Sequence, residues 1–388
     1  MWTNKIVAAC KPYFTVQMRC RSKGAVRKSI RVLPQNDDRP LSEHPSGEIA
    51  IPKYVKLGDN DSEFTRTMAE LKNLKKTKSS DKIILEGRRL IADALVSGVQ
   101  VEDIYFTLEE NLHGLPLDRI AKDQLKKVFY KKMKVWSDLT TCPGIMAVCR
   151  KPKQDELTRK AGIVPLTVIC DNVRDPGNMG AILRSVAAAG CKRILLMKGC
   201  VDVWESKVLR SGCGAHFRFP IYNGIAWEHL PSYVERTATI YLADNQSEST
   251  EPQEPQTDSE VTADDEDEDE ETEFTVRTEE GSILKVDRLY LDHSELKAAR
   301  SYKLPCKEYT EVAYNQHDSV LVVGGEAYGL SPQSFMLARN HGGVRVHISS
   351  DNGVESLNTA VAASVLVFEI RRQMIQGLNT TELCSQYG

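Results

Sequence analysis

Several patterns that identify common protein classes are missing from this sequence of 388 residues. No stretch reaches 18 consecutive apolar residues, and the most apolar segment, residues 360–368, is short enough for a buried helix, so no membrane span is expected. The ten cysteines form no CxxC pair and no paired Cys/His spacing, which predicts reduced, mostly structural thiols. GxGxxG after the first strand, GxxxxGK followed by Ser or Thr, and HExxH are also absent, so dehydrogenases and P-loop enzymes lose support and no metal site is expected.

Acidic residues are absent from the first 36 positions, which carry eight Lys or Arg residues interleaved with apolar ones. This leader has no continuous apolar core of the kind found in secretory signals, so the pattern predicts a mitochondrial transit peptide over residues 1–36. Residues 37–62 are then expected to be a linker. The alternative is a disordered basic tail that contacts RNA in the cytosol.

Basic residues are nearly absent from residues 245–280, which contain sixteen Asp or Glu, one Arg and eight consecutive carboxylates at 264–271. Such a run repels itself and buries little apolar area, so we expect a disordered acidic insert on the surface. It is either a tolerated insertion, a calcium site, or an RNA mimic that shields a basic surface. Outside the leader and the insert the chain carries a net charge of +4, which favours an anionic partner.

The chain is too long for one ordinary domain, and two ordered segments stand out. The first, residues 63–150, is predicted to be a small α/β domain with strands near 82–86, 101–107 and 144–148. Its basic residues cluster at 72–78 and 126–134, and Phe129, Tyr130 and Trp136 interleave the second cluster. This combination suits phosphate contacts and base stacking, although an ordinary solvated helix face would have a similar composition.

The second segment, residues 163–376, alternates predicted strands with predicted helices and so favours a parallel sheet covered on both faces. The strands are expected at 166–170, 193–197, 240–243, 289–291, 320–324 and 344–348. The helices are expected at 178–189, 204–209, 332–339 and 356–372.

Three polar loops of this segment each follow a predicted strand. The first opens a helix on which Asn178 is a candidate N-cap and Arg184 faces either an anion or Asp175. In the second, two glycines at 324 and 325 would let a ligand approach the backbone, and a carboxylate follows at 326. In the third, Ser356 is the expected helix cap, and residue 358 projects beside the positive helix end.

Together the three loops resemble motifs 1, 2 and 3 of the SpoU/TrmH family of RNA 2′-O-ribose methyltransferases, in order and in spacing. The matching strings are Asn172-x5-Asn178-x-Gly180-x3-Arg184, Gly324-x-Glu326-x2-Gly329-Leu330-Ser331 and Ser356-Leu357-Asn358-x2-Val361-Ala362. The resemblance covers roughly residues 165–375 apart from the acidic insert. Residues 63–149 resemble the L30e-like substrate-binding domain of the same family.

The resemblance implies a SPOUT fold, α/β with a C-terminal trefoil knot, and S-adenosylmethionine (SAM) as cofactor. It implies SAM contacts from Gly324, Gly325, Ile348 and Leu357, and catalytic roles for Arg184, Asn178, Glu326, Ser356 and Asn358. Arg184 would deprotonate or orient the ribose hydroxyl, or stabilise its alkoxide, and Asn178 would position the ribose or phosphate. One departure is Ser349-Ser350 after Ile348, where the family often has Pro-Met.

With the basic leader, the resemblance implies a homodimer in the mitochondrial matrix that methylates a guanosine of large-subunit rRNA, with that rRNA or a mitoribosome precursor as partner. Two alternatives stay open on sequence grounds. One is a non-catalytic rRNA-binding assembly factor on the same fold, and the other is a tRNA 2′-O-methyltransferase. The basic clusters do not distinguish them, because rRNA and tRNA both present phosphates and shape to a protein.

Overall fold

A computed structural model describes the backbone of residues 53–76, 80–153, 157, 164–244, 275–277, 283–285, 304–314, 318–327 and 329–387. Side chains are described in the same ranges except for 74–76, 275–277, 283–285 and 377–387. The predicted transit peptide, most of the linker, the predicted strand at 289–291 and most of the acidic insert lie outside these residues. Thr275–Arg277, inside the insert, pairs with Ile283–Lys285, which follows the insert, as an antiparallel ribbon.

A mixed five-stranded sheet with three helices is built by the first ordered segment. Its strands are β1 Val55–Lys56, β2 Lys82–Glu86, β3 Val101–Phe106, β4 Leu125–Lys127 and β5 Ile145–Arg150, in the order β1-β4-β3-β5-β2. Its helices are α1 Glu63–Lys76, α2 Arg88–Val96 and α3 Tyr130–Trp136. Phe64, Met68 and Leu71 recur at helical spacing on α1 and are buried, so the apolar stripe read from the sequence packs on the sheet.

A seven-stranded sheet forms the second segment, and every neighbouring pair in it is parallel. Its strands are β6 Val164–Asp171, β7 Cys191–Met197, β8 Ile221–Ile225, β9 Thr239–Ala243, β12 Cys306–Glu308, β13 Ser319–Gly324 and β14 Val344–His347; the antiparallel ribbon supplies β10 Thr275–Arg277 and β11 Ile283–Lys285. The strand order is β12-β14-β9-β13-β6-β7-β8. The helices are α4 Pro176–Ala189, α5 Ser206–Gly212, α6 Pro332–Asn340 and α7 Thr359–Tyr387.

Both faces of the parallel sheet are buried, because successive residues of a strand point to opposite sides. Val168 and Cys170 of β6 join the core beneath α4 and α7, while Ile169 joins the core on the other face with Ala338 of α6. Continuous apolar runs such as residues 168–170 are therefore the expected signature of these strands, and the predicted parallel sheet flanked by helices is confirmed.

The two sheets share an apolar contact. Leu209 of α5 and Phe217 belong to the same buried cluster as Ile83 and Leu90 of the small sheet. Arg218 approaches Asp93 of α2 at 3.5 Å. The contact fixes the small sheet beside the region that follows β7.

The buried thiols behave as the sequence predicts. All seven cysteines of the described residues are free. Burial raises the pKa of Cys149 and of Cys191 to about 12, and that of Cys200 to about 11. These thiols are therefore protonated at neutral pH and serve packing.

No helix among the described residues is long and apolar enough to cross a membrane.

Candidate active site

The three motif loops meet at the carboxyl edge of the parallel sheet. They follow β6, β13 and β14, and parallel strands place their carboxyl ends along one edge, where ligands of α/β proteins bind. Residues separated by about half of the chain therefore become neighbours.

One side chain from each loop enters a hydrogen-bonded group, which we call the amide–carboxylate cluster. Asn178 Nδ2 donates to Glu326 Oε1 at 2.8 Å, and Asn358 Nδ2 donates to the same oxygen at 2.7 Å. Asn358 Nδ2 also lies 3.0 Å from Asn178 Oδ1. Glu326 and Asn358 are exposed and Asn178 is half-buried, so the cluster presents a fixed carboxylate to solvent.

The caps of the two helices differ from the predicted ones. Asp175, not Asn178, caps α4, because its carboxylate accepts a hydrogen bond from the Asn178 backbone N–H at 2.7 Å. The Asn178 side chain is thereby free to bind Glu326. At α7, Ser356 is exposed and lies three residues before the helix, and Asn358 Oδ1 accepts from the amides of Ala360 and Val361 at 3.0 and 3.3 Å.

The glycines of the second loop are required by the close packing of the chain on itself. A Cβ on Gly324 would lie 2.6 Å from the Gly329 carbonyl carbon. A Cβ on Gly325 would overlap the Asn172 carbonyl oxygen. The first and second motif loops therefore touch through their backbones, and only glycine allows that approach.

Asp171, at the end of β6, is a residue of this region that the sequence analysis missed. Its side chain is fully buried. Oδ2 accepts hydrogen bonds from the Ser331 amide at 2.6 Å and the Ser334 hydroxyl at 2.7 Å, while its carbonyl oxygen accepts from the Gly325 amide at 2.9 Å. Asp171 therefore joins the end of β6 to both ends of the loop that carries Glu326. An acidic residue that directly ends a continuous apolar strand is the signal that could have found it.

Arg184 lies on α4 but outside the amide–carboxylate cluster. It is six residues beyond Asn178, which corresponds to about 9 Å along the helix axis and a different face. The side chain is exposed, and Nη1 lies 3.8 Å from Cys213 Sγ. Among the described residues no carboxylate forms an ion pair with it, so the alternative of a bridge to Asp175 is not observed.

Ile348 and Leu357, for which the resemblance implies SAM contacts, lie in the segment between β14 and α7. Ile348 directly follows β14 and is half-buried, whereas Leu357 precedes Asn358 and is 38% exposed. Since β9 separates β14 from β13, the ends of these two strands lie about 10 Å apart. Partly exposed apolar side chains and the Glu326 carboxylate on one sheet edge are chemically suited to a ligand that combines an apolar ring with a cationic group.

Comparison with known proteins agrees with this geometry. Residues 165–268 match the SpoU rRNA Methylase family. The chain is 38% identical over 353 residues to the human mitochondrial rRNA methyltransferase 3, covering 88% of this chain and 80% of the relative.

The chain belongs to the SpoU rRNA methylase family.

A second relative of this SpoU methyltransferase, the 23S rRNA guanosine 2′-O-methyltransferase of Bacillus subtilis, is 29% identical over 166 residues, which are 43% of this chain and 62% of the relative. A crystal structure of an AdoMet-bound rRNA methyltransferase from Sinorhizobium meliloti superposes with a TM-score of 0.56 at 18% identity, covering 82% of this chain and 98% of that one. The expected SPOUT-type sheet flanked by helices is thus shared with known SpoU structures.

We expect Asp171→Asn to destabilise this methyltransferase, because both carboxylate oxygens accept hydrogen bonds, and an amide sets an N–H donor either against the Ser331 amide or against Asn172 Nδ2. A buried group left without its partner costs about 1–3 kcal/mol of unfolding free energy. Urea denaturation of the variant measures the loss. Asp118→Asn, at an exposed turn of the small sheet, is the matched control and should leave the midpoint unchanged. An unchanged midpoint for Asp171→Asn would show that the carboxylate does not hold the loop.

Proposed function

We propose that the chain transfers the methyl group of SAM to the 2′-hydroxyl of a guanosine in mitochondrial large-subunit rRNA. The observation that carries the proposal is the amide–carboxylate cluster, in which Asn178, Glu326 and Asn358 from three distant motifs share hydrogen bonds. The human relative is named a mitochondrial rRNA methyltransferase and the bacterial relative a guanosine 2′-O-methyltransferase, which supports the substrate.

The proposed SAM site is formed by Gly324, Gly325, Ile348 and Leu357. SAM supplies an electrophilic methyl group on a sulfonium. A ribose 2′-hydroxyl is a poor nucleophile at neutral pH, so the chain must align it and stabilise the oxyanion that develops. A guanidinium retains its proton, and we therefore assign to Arg184 the stabilisation of that oxyanion rather than proton removal.

The other nominated residues bind and orient the nucleotide. Glu326 receives two amide donors on one oxygen, and its second oxygen is available to accept a hydrogen bond from a ribose hydroxyl or an amine. Asn178 would position the ribose or phosphate, and the exposed Ser356 hydroxyl would complete the polar surface. No step in this scheme uses a metal ion.

The two alternatives are less favoured. A non-catalytic assembly factor has no need for a carboxylate held by two amides at a SAM site, yet this chain keeps that arrangement. A tRNA substrate receives no support from the rRNA methyltransferases to which the chain is similar.

We further propose that the chain works as a homodimer. An apolar stripe runs along the loop before α7 and one face of this helix, and its members, Val354, Leu357, Val361 and Phe368, are each 38–51% exposed. A contiguous exposed stripe of this kind indicates a protein interface.

A trefoil knot in the catalytic segment and an L30e-like fold of residues 63–150 complete the proposed domain organisation.

The RNA-binding surface of the small sheet is narrower than the basic cluster 126–134 suggests. Lys126 forms ion pairs with Glu63 and Asp103, at 2.5 and 2.6 Å. Lys132 donates to three backbone carbonyls, those of residues 58, 59 and 61. These two lysines therefore hold the small sheet together and are not available to RNA.

Four exposed residues remain, which we call the aromatic–basic patch: Phe129, Tyr130, Lys131 and Lys134. The two rings are 52% and 47% exposed, which is unusual for large aromatic side chains without a partner. Rings for stacking and ammonium groups for phosphates are the combination that single-stranded RNA requires. We propose that this patch binds unpaired nucleotides of the rRNA.

Arg184→Ala is expected to lower the single-turnover methylation rate about 10²–10³-fold, the usual cost of removing one electrostatic stabiliser of a developing oxyanion. Melting temperature and SAM affinity should stay at their wild-type values, because the side chain is exposed. Arg184→Lys should recover little, since a point charge does not reproduce the planar fork. The matched control is Arg236→Ala, an exposed arginine that precedes β9 at the opposite edge of the sheet. A near-wild-type methylation rate for Arg184→Ala would show that Arg184 has no part in the mechanism.

The double variant Lys131→Ala/Lys134→Ala should weaken RNA binding. It should also reduce the salt dependence of the binding constant by about 0.7–0.9 for each phosphate that the protein no longer neutralises. Phe129→Ala/Tyr130→Ala should weaken binding without changing the salt dependence, because stacking releases no counterions. Titration of labelled RNA at several salt concentrations separates the two effects. Lys122→Ala, at the opposite end of β4, serves as control. If all variants bind RNA as tightly as the wild-type protein, the patch is an ordinary solvated surface that does not bind RNA.

Removing residues 1–36 should move the protein from mitochondria to the cytosol, because this acid-free basic stretch is the targeting signal that the sequence predicts. Microscopy of the tagged protein, with protease protection in isolated mitochondria to test for the matrix, checks the expectation. Deleting residues 245–280 instead removes the same number of residues and should leave the location unchanged. Import of the protein that lacks the leader would contradict the proposal.

A further inference from the structure

Glu308 collects hydrogen bonds from the segment that leads into the third motif loop. It ends the edge strand β12 and lies in register with His347, the last residue of β14. The carboxylate accepts from the Ser349 hydroxyl at 2.5 Å and from the Ser349 backbone amide at 3.2 Å. His347 Nε2 lies 3.2 Å from the same oxygen. One side chain thus holds both the end of the strand and the residue after Ile348.

His347 has two further contacts, one through its imidazole and one through its backbone carbonyl. Cys306 Sγ lies 3.5 Å from His347 Nδ1, and the Tyr309 amide donates to the His347 carbonyl at 2.9 Å. The edge strand β12 is only three residues long, and the contacts of Glu308 and Cys306 add to its backbone pairing with β14. If Glu308 only held β12 against β14, its contacts would stay within these two strands. Its carboxylate also binds Ser349, which lies beyond the end of β14.

Residues 349–358 are all exposed and form the loop between β14 and α7. Asn358 fixes the end of this loop through its cap on α7 and its bonds to Glu326. Glu308 fixes the beginning at Ser349. Because these residues are exposed and not packed into the core, the anchors at the two ends contribute to the position of Leu357 and the other loop residues.

We propose that Glu308 is a positioning residue for SAM binding, which acts by anchoring Ser349 and thereby the loop of residues 349–358. The inference rests on the proposed cofactor role of Ile348 and Leu357, the residues that border the anchored segment. Without the anchor the loop occupies several conformations, of which one binds SAM. The apparent dissociation constant for SAM then equals the intrinsic one divided by the fraction of molecules whose loop is in the binding-competent conformation.

Glu308→Ala tests the proposal in the full-length protein, with SAM affinity measured by calorimetry and loop protection by amide hydrogen exchange over residues 349–357. We expect the Kd for SAM to rise about ten-fold, which corresponds to about 1.4 kcal/mol. Exchange in the loop should accelerate in the absence of SAM. RNA affinity and kcat at saturating SAM should stay near their wild-type values, while KM for SAM rises.

Graded and control variants separate positioning from stability. Glu308→Gln keeps one acceptor oxygen and should give a smaller effect, and Ser349→Ala, which removes the hydroxyl donor alone, should also be intermediate. Glu311→Gln changes an exposed glutamate three residues further along and should have no effect. A lower melting temperature for Glu308→Ala with unchanged SAM affinity and unchanged loop exchange would overturn the proposal and leave Glu308 a structural residue.

The outcome is independent of the reaction itself. If the wild-type protein binds SAM but methylates no RNA, weaker SAM binding by Glu308→Ala still supports the positioning role, while the proposed function fails. If Arg184→Ala abolishes methylation and Glu308→Ala binds SAM normally, the proposed function stands and the positioning role fails.

Discussion

The buried carboxylate of Asp171 is the contact on which the geometry of the candidate site depends. It ends β6 in the middle of the parallel sheet, and its oxygens accept from residues on both sides of the loop that carries Glu326. A buried carboxylate is unfavourable unless donors surround it. The loop supplies those donors only when Ser331 and Ser334 lie next to the end of β6. The requirement to satisfy one buried acid thus fixes the conformation of the second motif loop.

From this loop outward, each position follows from the last. Glu326 is held at the sheet edge, where it meets the amides of Asn178 and Asn358. Asn178 lies in the first turn of α4 and Asn358 caps α7, so both residues stand at the amino-terminal end of a helix. The polar surface of the candidate site is therefore assembled from helix ends above the packed parallel sheet.

Much of this arrangement was predictable from the sequence, and the failures have physical causes. Apolar runs such as 168–170 indicated buried parallel strands, and the three polar loops indicated the site. The caps were assigned to the wrong residues because Asp175 and Asn178, like Ser356 and Asn358, are equally good cap formers, and contact with Glu326 decided between them. Lys126 and Lys132 were predicted to belong to an RNA-binding surface because the local sequence shows only their charge. Their partners lie more than 60 residues away along the chain. Short edge strands such as β1 and β12 carry too few residues to show a period.

The strand order also has a consequence for how the molecule folds. In the sequence, the acidic insert lies between β9 and β12, which sit near one edge of the parallel sheet with β14 between them, so the chain reaches β12 only after a long stretch. Loop-closure entropy grows only logarithmically with length, which explains why the sheet tolerates such a stretch. The long stretch lowers the folding rate more than the stability. Contacts such as that between Asn178 and Asn358, 180 residues apart, raise the contact order, and a higher contact order slows folding. The amide–carboxylate cluster therefore forms only after parts of the chain that are far apart in the sequence have come together.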